Sequence, residues 1–177
     1  MSLRFSVGSQ KIVLEAQEEA KNFHHDYVGT EHLLLAMASC KEEVCSQILQ
    51  EINLTPTKIK REIEKLVGLG DNLLTAGPIP LTPRAKNILE RSFEEALQTS
   101  STIVETEHLL LALTLEQEGL AAKILENLQI PRELIRTLVL RYISQKMQEN
   151  QVFLRGLLLV AFAGPKDCPM PFHTPPE

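Results

Sequence analysis

The residues best suited to chemistry lie in the heptapeptide TEHLLLA, which occurs twice, at residues 30–36 and 106–112. Each copy places a carboxylate beside an imidazole, Glu31 with His32 and Glu107 with His108. Such a pair could take part in acid–base catalysis or bind a metal ion. The structural alternative is that the threonine caps a helix, the glutamate interacts with the helix dipole and the leucines fill a core. A capping role, however, requires no particular acid in both copies.

A metal centre is the first possibility to consider, because HHDYVGTEH brings His24, His25, Asp26, Glu31 and His32 close together in the first copy. The second copy reads SSTIVETEH and keeps only the Glu-His pair. A ligand set is therefore not shared by the two copies, and the sequence predicts no metal site.

Catalytic motifs are missing as well. The sequence contains no GxSxG nucleophile elbow, no HExxH and no GxxxxGK[ST] phosphate-binding loop. One carboxylate beside one imidazole at a helix start does not make a mechanism. We expect a protein that is not an enzyme and needs no cofactor.

Composition restricts the classes of partner. The formal net charge is −5, the pI is near 5.6 and aromatic residues make up 5% of the chain. Nucleic acids and anionic membranes both require a basic surface, so neither is expected as a partner. Three features indicate a cytoplasmic protein. The number of cysteines is odd, the N-terminus is charged and has no apolar core, and the apolar run at 152–163 is too short to span a bilayer.

The elements that position the heptapeptides are helices in a duplicated unit. Shifting the sequence so that Thr30 falls on Thr106 aligns 5–67 with 81–143 without a gap, and sixteen of the pairs are identical. We call this shift the repeat offset. Apolar residues recur at helical spacing, and Thr-Pro pairs at 55–56 and 82–83 are typical of helix starts. We predict an all-α fold, a tandem repeat of two four-helix units packed as one pseudo-twofold domain, without strands.

The predicted boundaries follow from the repeat. The first repeat covers 4–67, a linker rich in glycine and proline covers 68–80, and the second repeat covers 81–145. A C-terminal extension, 146–177, is expected to be partly disordered because its end is rich in proline. Residues 151–163 could form an extra helix that docks on the bundle.

Four segments carry a resemblance to a known family: FSVGSQKIVLEAQEEA, VGTEHLLLAM, LTPRAKNILERSFEEA and ETEHLLLAL. Over about residues 4–145 the chain resembles the Clp N-terminal domain, the double Clp repeat at the front of the ClpA and ClpC unfoldases. The resemblance implies a non-catalytic module that captures substrate polypeptides and adaptor proteins for an ATP-driven unfoldase of a Clp protease. Its partners would be those polypeptides and Clp subunits.

Two alternatives stay open. The chain could be similar to stand-alone accessory subunits that stabilise or regulate the Clp protease core, which would place it in the plastid stroma if it comes from a photosynthetic eukaryote. It could also be a helical protein-interaction scaffold of unrelated role, since a fold does not imply a function.

The resemblance also implies a ligand, phosphoarginine, bound by the acid of each Thr-Glu-His segment and by a neighbouring helix start. Carried over, the site residues are Glu31, Glu107, Thr30, Thr106, Ser6, Thr82 and Arg84. Grouped by repeat, each site departs from the family pattern. In the first repeat the start Ser6-Val7-Gly8-Ser9 lacks the arginine that Arg84 supplies in the second, and in the second repeat Glu105 replaces the glycine before Thr-Glu-His.

Overall fold

The computed structural model describes residues 4–71 and 77–162, with side chains described through 153. Within these residues the chain forms eight α-helices and one pair of two-residue strands. The elements are β1 (Arg4–Phe5), α1 (Val7–Asn22), α2 (Thr30–Ser39), α3 (Val44–Glu51), α4 (Pro56–Leu66), α5 (Pro83–Gln98), β2 (Ile103–Val104), α6 (Thr106–Leu115), α7 (Leu120–Asn127) and α8 (Arg132–Phe162). The predicted all-α fold is confirmed.

The repeat is visible in the helix bounds. Helices α1 to α3 begin and end at positions that the repeat offset places exactly on the bounds of α5 to α7, and the start of α4 falls on the start of α8. The same cap starts both repeats: Ser6 accepts the N–H of Ser9, and Thr82 accepts the N–H of Ala85. Pro83 follows Thr82 at the first helical position, where a missing N–H costs nothing.

Helices α2 and α6 form the centre of the core. In each, every residue but the last is buried, and α2 packs against α1 and against α3 to α7. The TEHLLLA helices are thus the most buried of the described helices. Full burial of each leucine stabilises the fold by about 1.5–3 kcal/mol, so these helices hold the two repeats together.

The strands correct the expectation of a strand-free chain. Strand β1 of the first repeat pairs in parallel with β2 of the second, with Phe5 opposite Val104. An isolated parallel bridge also joins Val28 to Leu81. At the repeat offset Val28 corresponds to Val104 and Leu81 to Phe5, so this bridge is the pseudo-symmetric copy of the strand pair. A two-residue strand is too short to show alternation, so the sequence could not reveal it. The pairing makes the contact between the repeats isologous, as expected for a pseudo-twofold axis.

The C-terminal region differs from expectation in one respect. The predicted separate helix at 151–163 is wrong, because α8 continues without a break from Arg132 to Phe162. No proline or glycine occurs between 132 and 155, and the single Gly156 is tolerated inside a helix. Beyond 143 the chain forms a second compact unit, in which Met147, Val152 and Phe153 are exposed.

The proposed repeat, linker and extension boundaries stay predictions. Residues 72–76 of the linker and 163–177 of the extension, including the proline-rich end expected to be disordered, lie outside the described residues. Among the helices that the structure describes, none combines the length and the hydropathy needed to cross a bilayer.

Candidate functional site

A cleft between the two repeats contains most of the residues singled out from the sequence. The N–H of Thr82 donates to the carbonyl oxygen of Val28 at 2.9 Å, which holds the start of α5 beside the start of α2. The space between them measures about 400 Å³, a size that suits a side chain or small ligand. We call it the α2–α5 cleft; it is lined by Tyr27, Gly29, Thr30, Glu31, Thr82, Pro83, Arg84, Glu118, Gly119 and Leu120.

This geometry corrects the grouping by repeat. Glu31 does not share a site with Ser6 of its own repeat; it shares the α2–α5 cleft with Thr82 and Arg84 of the other repeat. Ser6 is bound instead to the second repeat, since its N–H donates to Val104 O at 2.9 Å. The strand pairing causes the exchange, because it seats the first residues of each repeat against the α2 or α6 start of the other.

Glu31 is a buried carboxylate in the wall of this cleft, with 2% of its surface exposed. Its carboxylate lies against the backbone of Gly29, where a Cβ would be 2.3 Å from Oε1. Among the described residues, Oε1 of Glu31 has no hydrogen-bond partner. Burial raises the pKa of Glu31 above its ordinary value of 4.5, because removal from water disfavours the charged form.

His32 lies beside Glu31 but does not neutralise it. The N–H of Gly29 donates to Nδ1 of His32 at 3.0 Å, so that nitrogen carries no proton for the Glu31 oxygen 3.4 Å away. Burial, together with the nearby His25, lowers the pKa of His32 to about 3. The neutral ring therefore acts as a helix cap, and Glu105 N–H and His108 Nδ1 repeat the contact at 2.9 Å.

The same ring continues a chain of hydrogen bonds. Because Nδ1 of His32 accepts, its Nε2 donates to Nδ1 of His25 at 3.0 Å, and Nε2 of His25 then donates to Gly68 O at 3.1 Å. His25, Glu31 and His32 lie close enough to ligate one ion, within 4.8 Å. Each ring nitrogen is already used, however, so a metal would have to break the helix cap or the chain. The arrangement favours capping, and the absence of a metal site stays a prediction.

Arg84 is the one cation in the described lining of the cleft, and acids already hold it. Its Nη1 donates to Glu116 Oε1 at 3.0 Å and its Nη2 to Glu118 Oε2 at 2.7 Å. These two hydrogen bonds raise the pKa of Arg84. In and around the cleft there are three carboxylates, those of Glu31, Glu116 and Glu118, and one guanidinium, so the surroundings of the cleft are acidic.

The threonines of the cleft serve the fold. Thr30 Oγ1 accepts the N–H of Ala121 at 3.1 Å and so satisfies a buried donor in the first turn of α7. A Cβ at Gly119 would lie 2.7 Å from that hydroxyl, so the close approach requires glycine there. Thr82 Oγ1 accepts the N–H of Ala85 at 3.2 Å.

The pseudo-equivalent position on the other side combines Ser6 with Thr106 and Glu107, and it is built differently. Ser6 is tied to Ser9, whose hydroxyl donates to Val104 O at 2.7 Å. The hydroxyl of Thr106 donates to Glu107 Oε2 at 3.5 Å, and Glu107 is 3% exposed.

Seven of the ten residues that line the cleft differ from their counterparts at the repeat offset, and three of these differences change the charge of the site. At the repeat offset Gly8 replaces Arg84, Glu43 replaces Gly119 and Glu105 replaces Gly29. The Glu43 carboxylate lies at the start of α1, because a Cβ at Gly8 would be 2.3 Å from its Oε2. Grouping by repeat divides the departures from the family pattern between two sites. In the structure they lie together at the position of Ser6, Thr106 and Glu107, and the α2–α5 cleft keeps both Gly29 and Arg84.

Sequence reasoning missed Tyr27, Glu116, Glu118 and Gly119. Tyr27 lines the cleft and stacks on His25 with ring centroids 5.2 Å apart. The repeat does contain a signal for Gly119, since its partner at the repeat offset is Glu43. No spacing rule points to Glu116 or Glu118, because only the fold brings them to Arg84.

Comparisons with known proteins agree with this architecture. The sequence profile of the Clp repeat (R) N-terminal domain matches residues 4–128 and 80–152. The chain is 39% identical over 147 residues to the ATP-dependent Clp protease ATP-binding subunit ClpA homolog of Porphyra purpurea, covering 83% of this chain and 18% of that protein. It is 39% identical over 142 residues to the chloroplastic chaperone protein ClpC1 of Arabidopsis thaliana, covering 80% and 15%.

A solved structure shares the fold. The N-terminal domain of the chaperone ClpD from Arabidopsis thaliana superposes with a TM-score of 0.67 at 20% identity, covering 80% of this chain and 95% of that one. The chain spans less than a fifth of the length of the ClpA and ClpC relatives it matches. With both repeats matched by the profile and by the fold, the chain belongs to the Clp repeat (R) N-terminal domain family.

Proposed function

We propose that this chain is a non-catalytic recognition module of a Clp system, which binds substrate polypeptides or adaptor proteins and delivers them to an ATP-driven unfoldase. Membership of the Clp repeat family supports the general role. One observation supports a binding site in particular: the α2–α5 cleft has a buried carboxylate in its wall, and Oε1 of that carboxylate lacks a partner among the described residues.

The residues of this site are Glu31, Thr30, Thr82 and Arg84. We assign ligand contact to Glu31, which lines the cleft, and a supporting role to the two threonines, whose hydroxyls hold helix starts. Ser6, Thr106 and Glu107 form the pseudo-equivalent position. There the Glu43 carboxylate lies at the start of α1 and Glu105 takes the place of Gly29, so we propose one ligand site for each chain.

The burial of Glu31 favours a binding role over a purely structural one. An ionised group that is removed from water destabilises the fold unless hydrogen bonds compensate for the loss. Glu31 lacks full compensation within the described chain, whereas its neighbour His32 has a hydrogen bond at both ring nitrogens. A partner that fills the cleft would provide the missing donor. Functional sites often carry this kind of local cost.

A pull-down tests the proposal. The purified full chain would be immobilised in extract of the cells that express it, and bound Clp unfoldase subunits, protease subunits and adaptors would be quantified by mass spectrometry. We expect these proteins to be recovered, with lower yield for Glu31→Gln and unchanged yield for Glu107→Gln. The two glutamates are a matched pair, because they occupy the same helix position and are similarly buried.

Each outcome has a distinct meaning. Equal recovery with wild type and Glu31→Gln would keep the recognition role and move the contact surface away from the cleft. Recovery of no Clp component by correctly folded protein would contradict the recognition role and favour the unrelated scaffold. Recovery of protease core subunits without any unfoldase would favour the accessory-subunit alternative.

A further inference from the structure

The two capping histidines differ in the group that their second ring nitrogen contacts. Nε2 of His32 meets Nδ1 of His25 at 3.0 Å, whereas Nε2 of His108 meets the hydroxyl of Thr99 at 2.8 Å. A hydroxyl can donate or accept, but an imidazole accepts at Nδ1 only while it is neutral. Because the second repeat forms the same cap without a second histidine, the cap alone does not explain the pair of His25 and His32.

Both rings of this pair have their protons fixed by backbone groups. The N–H of Gly29 donates to Nδ1 of His32, which places the proton of that ring on Nε2. Gly68 O accepts from Nε2 of His25, which leaves Nδ1 of His25 without a proton. If His25 takes up a second proton, its Nδ1–H meets the Nε2–H of His32. Two donors cannot bond to each other, so the contact between the rings must break.

His25 is the ring that has room to move. His32 is fully buried, and burial together with the nearby His25 lowers the pKa of His32 to about 3. His25 instead lines a cavity of about 420 Å³ between the α1–α2 connection and the first residues of the linker. Asp26 and Asp71 line the same cavity. The cavity therefore offers two carboxylates to a charged ring.

The surroundings of His25 contain opposing influences on its charge. The titratable groups that face it come from α2, from the α1–α2 connection and from the linker: Glu31, His32, His24, Asp26, Tyr27 and Asp71. The three carboxylates favour a charged ring, whereas burial and the Nε2–H of His32 oppose it. Tyr27 stays neutral below its ordinary range, because burial raises its pKa. The position of the His25 ring therefore depends on the pH.

His25 also fastens the beginning of the linker to the first repeat. Its Nε2 donates to Gly68 O at 3.1 Å, and the N–H of Gly70 donates to Phe23 O at 2.9 Å. The packing is close, since a Cβ at Gly70 would lie 2.2 Å from the carbonyl oxygen of His24 and 3.1 Å from Cδ2 of His25. A movement of the His25 ring thus removes one of these two hydrogen bonds and the surface against which Gly70 packs.

We propose that His25 is an acid-sensitive latch for residues 68–71 of the linker. The neutral ring joins His32 to Gly68 O and holds these residues in place. The protonated ring, which takes its proton from solvent onto Nδ1, leaves His32, turns toward Asp26 and Asp71, and releases them. The latch regulates how firmly the linker is held and does not depend on the recognition role.

NMR on the full chain reports both states of the latch. At about pH 8, correlations between ring nitrogens and ring protons should show that His25 and His32 each carry their proton on Nε2. Between about pH 8 and about pH 5.5, His25 should become charged. The protection of the Gly70 amide from hydrogen exchange, corrected for the intrinsic rate and taken relative to Leu110 in the centre of α6, should fall roughly fivefold, which corresponds to one lost hydrogen bond.

Two adjacent histidines provide a matched pair of variants. His25→Asn keeps an oxygen that can accept from His32 but that takes up no proton, so the relative protection of Gly70 should no longer depend on pH. His24→Asn is the control, because His24 lines the same cavity and its φ of 57° suits asparagine. The control should keep the pH dependence of the wild type.

A double variant tests where the charged ring goes. Asp26→Asn/Asp71→Asn removes the two acids that receive it, so the loss of Gly70 protection should move to lower pH; an unchanged midpoint would overturn the role of these acids.

Three results would overturn the latch itself: a proton on Nδ1 of His25 or His32 at about pH 8, constant protection of Gly70 in the wild type, or wild-type pH dependence in His25→Asn. The first two are measured on the wild type, so they decide the proposal even if a variant fails to fold.

Discussion

Replacement of Glu31 by glutamine should stabilise the protein, which is unusual for a buried residue. Glu31 is 2% exposed, and burial raises its pKa above the ordinary value of 4.5. A raised pKa means that the folded state disfavours the charged form relative to the unfolded state. At neutral pH, above the ordinary pKa of the group, this difference reduces the free energy of unfolding. Glutamine has nearly the same shape and no charge, so it removes that penalty.

The size of the gain in stability follows from the missing hydrogen-bond partner of Glu31. One carboxylate oxygen has no partner among the described residues, and an unsatisfied buried polar group costs about 1–3 kcal/mol. Glutamine keeps part of this cost because its amide is also polar. We therefore expect a gain of about 1–2 kcal/mol at neutral pH, which for a chain of this length is a rise in Tm of roughly 2–8 °C.

The dependence on pH provides an internal control. For an acid whose folded pKa is raised, the destabilisation is fully present above the folded pKa and disappears below the unfolded value of 4.5. The difference in stability between Glu31→Gln and wild type should thus be largest at neutral pH. It should shrink as the pH falls toward 4.5 and vanish below it.

Thermal and urea unfolding at pH 7 and pH 4, followed by circular dichroism, would measure this difference. Glu107→Gln is the matched control, because Glu107 is similarly buried and interacts with neighbouring groups. We expect that control to be neutral or destabilising. If Glu31→Gln lost more than about 1 kcal/mol at pH 7, the carboxylate would be supporting the fold, and the argument from its missing partner would be refuted.

Two further substitutions test the parts of the site separately. Gly29→Ala should lower the recovery of Clp components in the pull-down, with little change in Tm. The backbone there, φ −93° and ψ −179°, accepts alanine, but the new Cβ would lie 2.3 Å from Glu31 Oε1 and displace the carboxylate; unchanged recovery would contradict this. Thr30→Val should lower the free energy of unfolding by about 1–3 kcal/mol, because the Ala121 N–H loses its acceptor; urea unfolding would show a smaller change if another acceptor replaces it.

Much of the fold could be predicted because its signals are local. Caps such as Thr82 followed by Pro83, helical spacing of apolar residues and the repeat offset together predict the helices and their duplication. The strand pair was missed because two residues carry no periodicity. The sequence does not reveal that α8 continues past 151, because the helix extends beyond the end of the repeat.

The sequence predicts residues of the candidate site but not which of them lie together. Glu31 and Arg84 were selected from the sequence, but they were assigned to different sites because they belong to different repeats. What joins them is the hydrogen bond from Thr82 N–H to Val28 O, a contact between residues that are distant in the sequence. Glu116 and Glu118 were not selected at all, because their role depends on where Arg84 lies in the folded chain.

The exchange of segments between repeats explains how one duplicated protein can keep a single site. Each position combines the helix start of one repeat with the Thr-Glu-His segment of the other, so changes in both repeats converge on one position. Gly8 and Glu43 come from the first repeat and Glu105 from the second, yet all three lie on the side of Glu107. The fold needs both heptapeptides for its core, which is why the identical residues persist where binding is not expected. We therefore propose different roles for the two repeated glutamates, although the heptapeptides that contain them are identical.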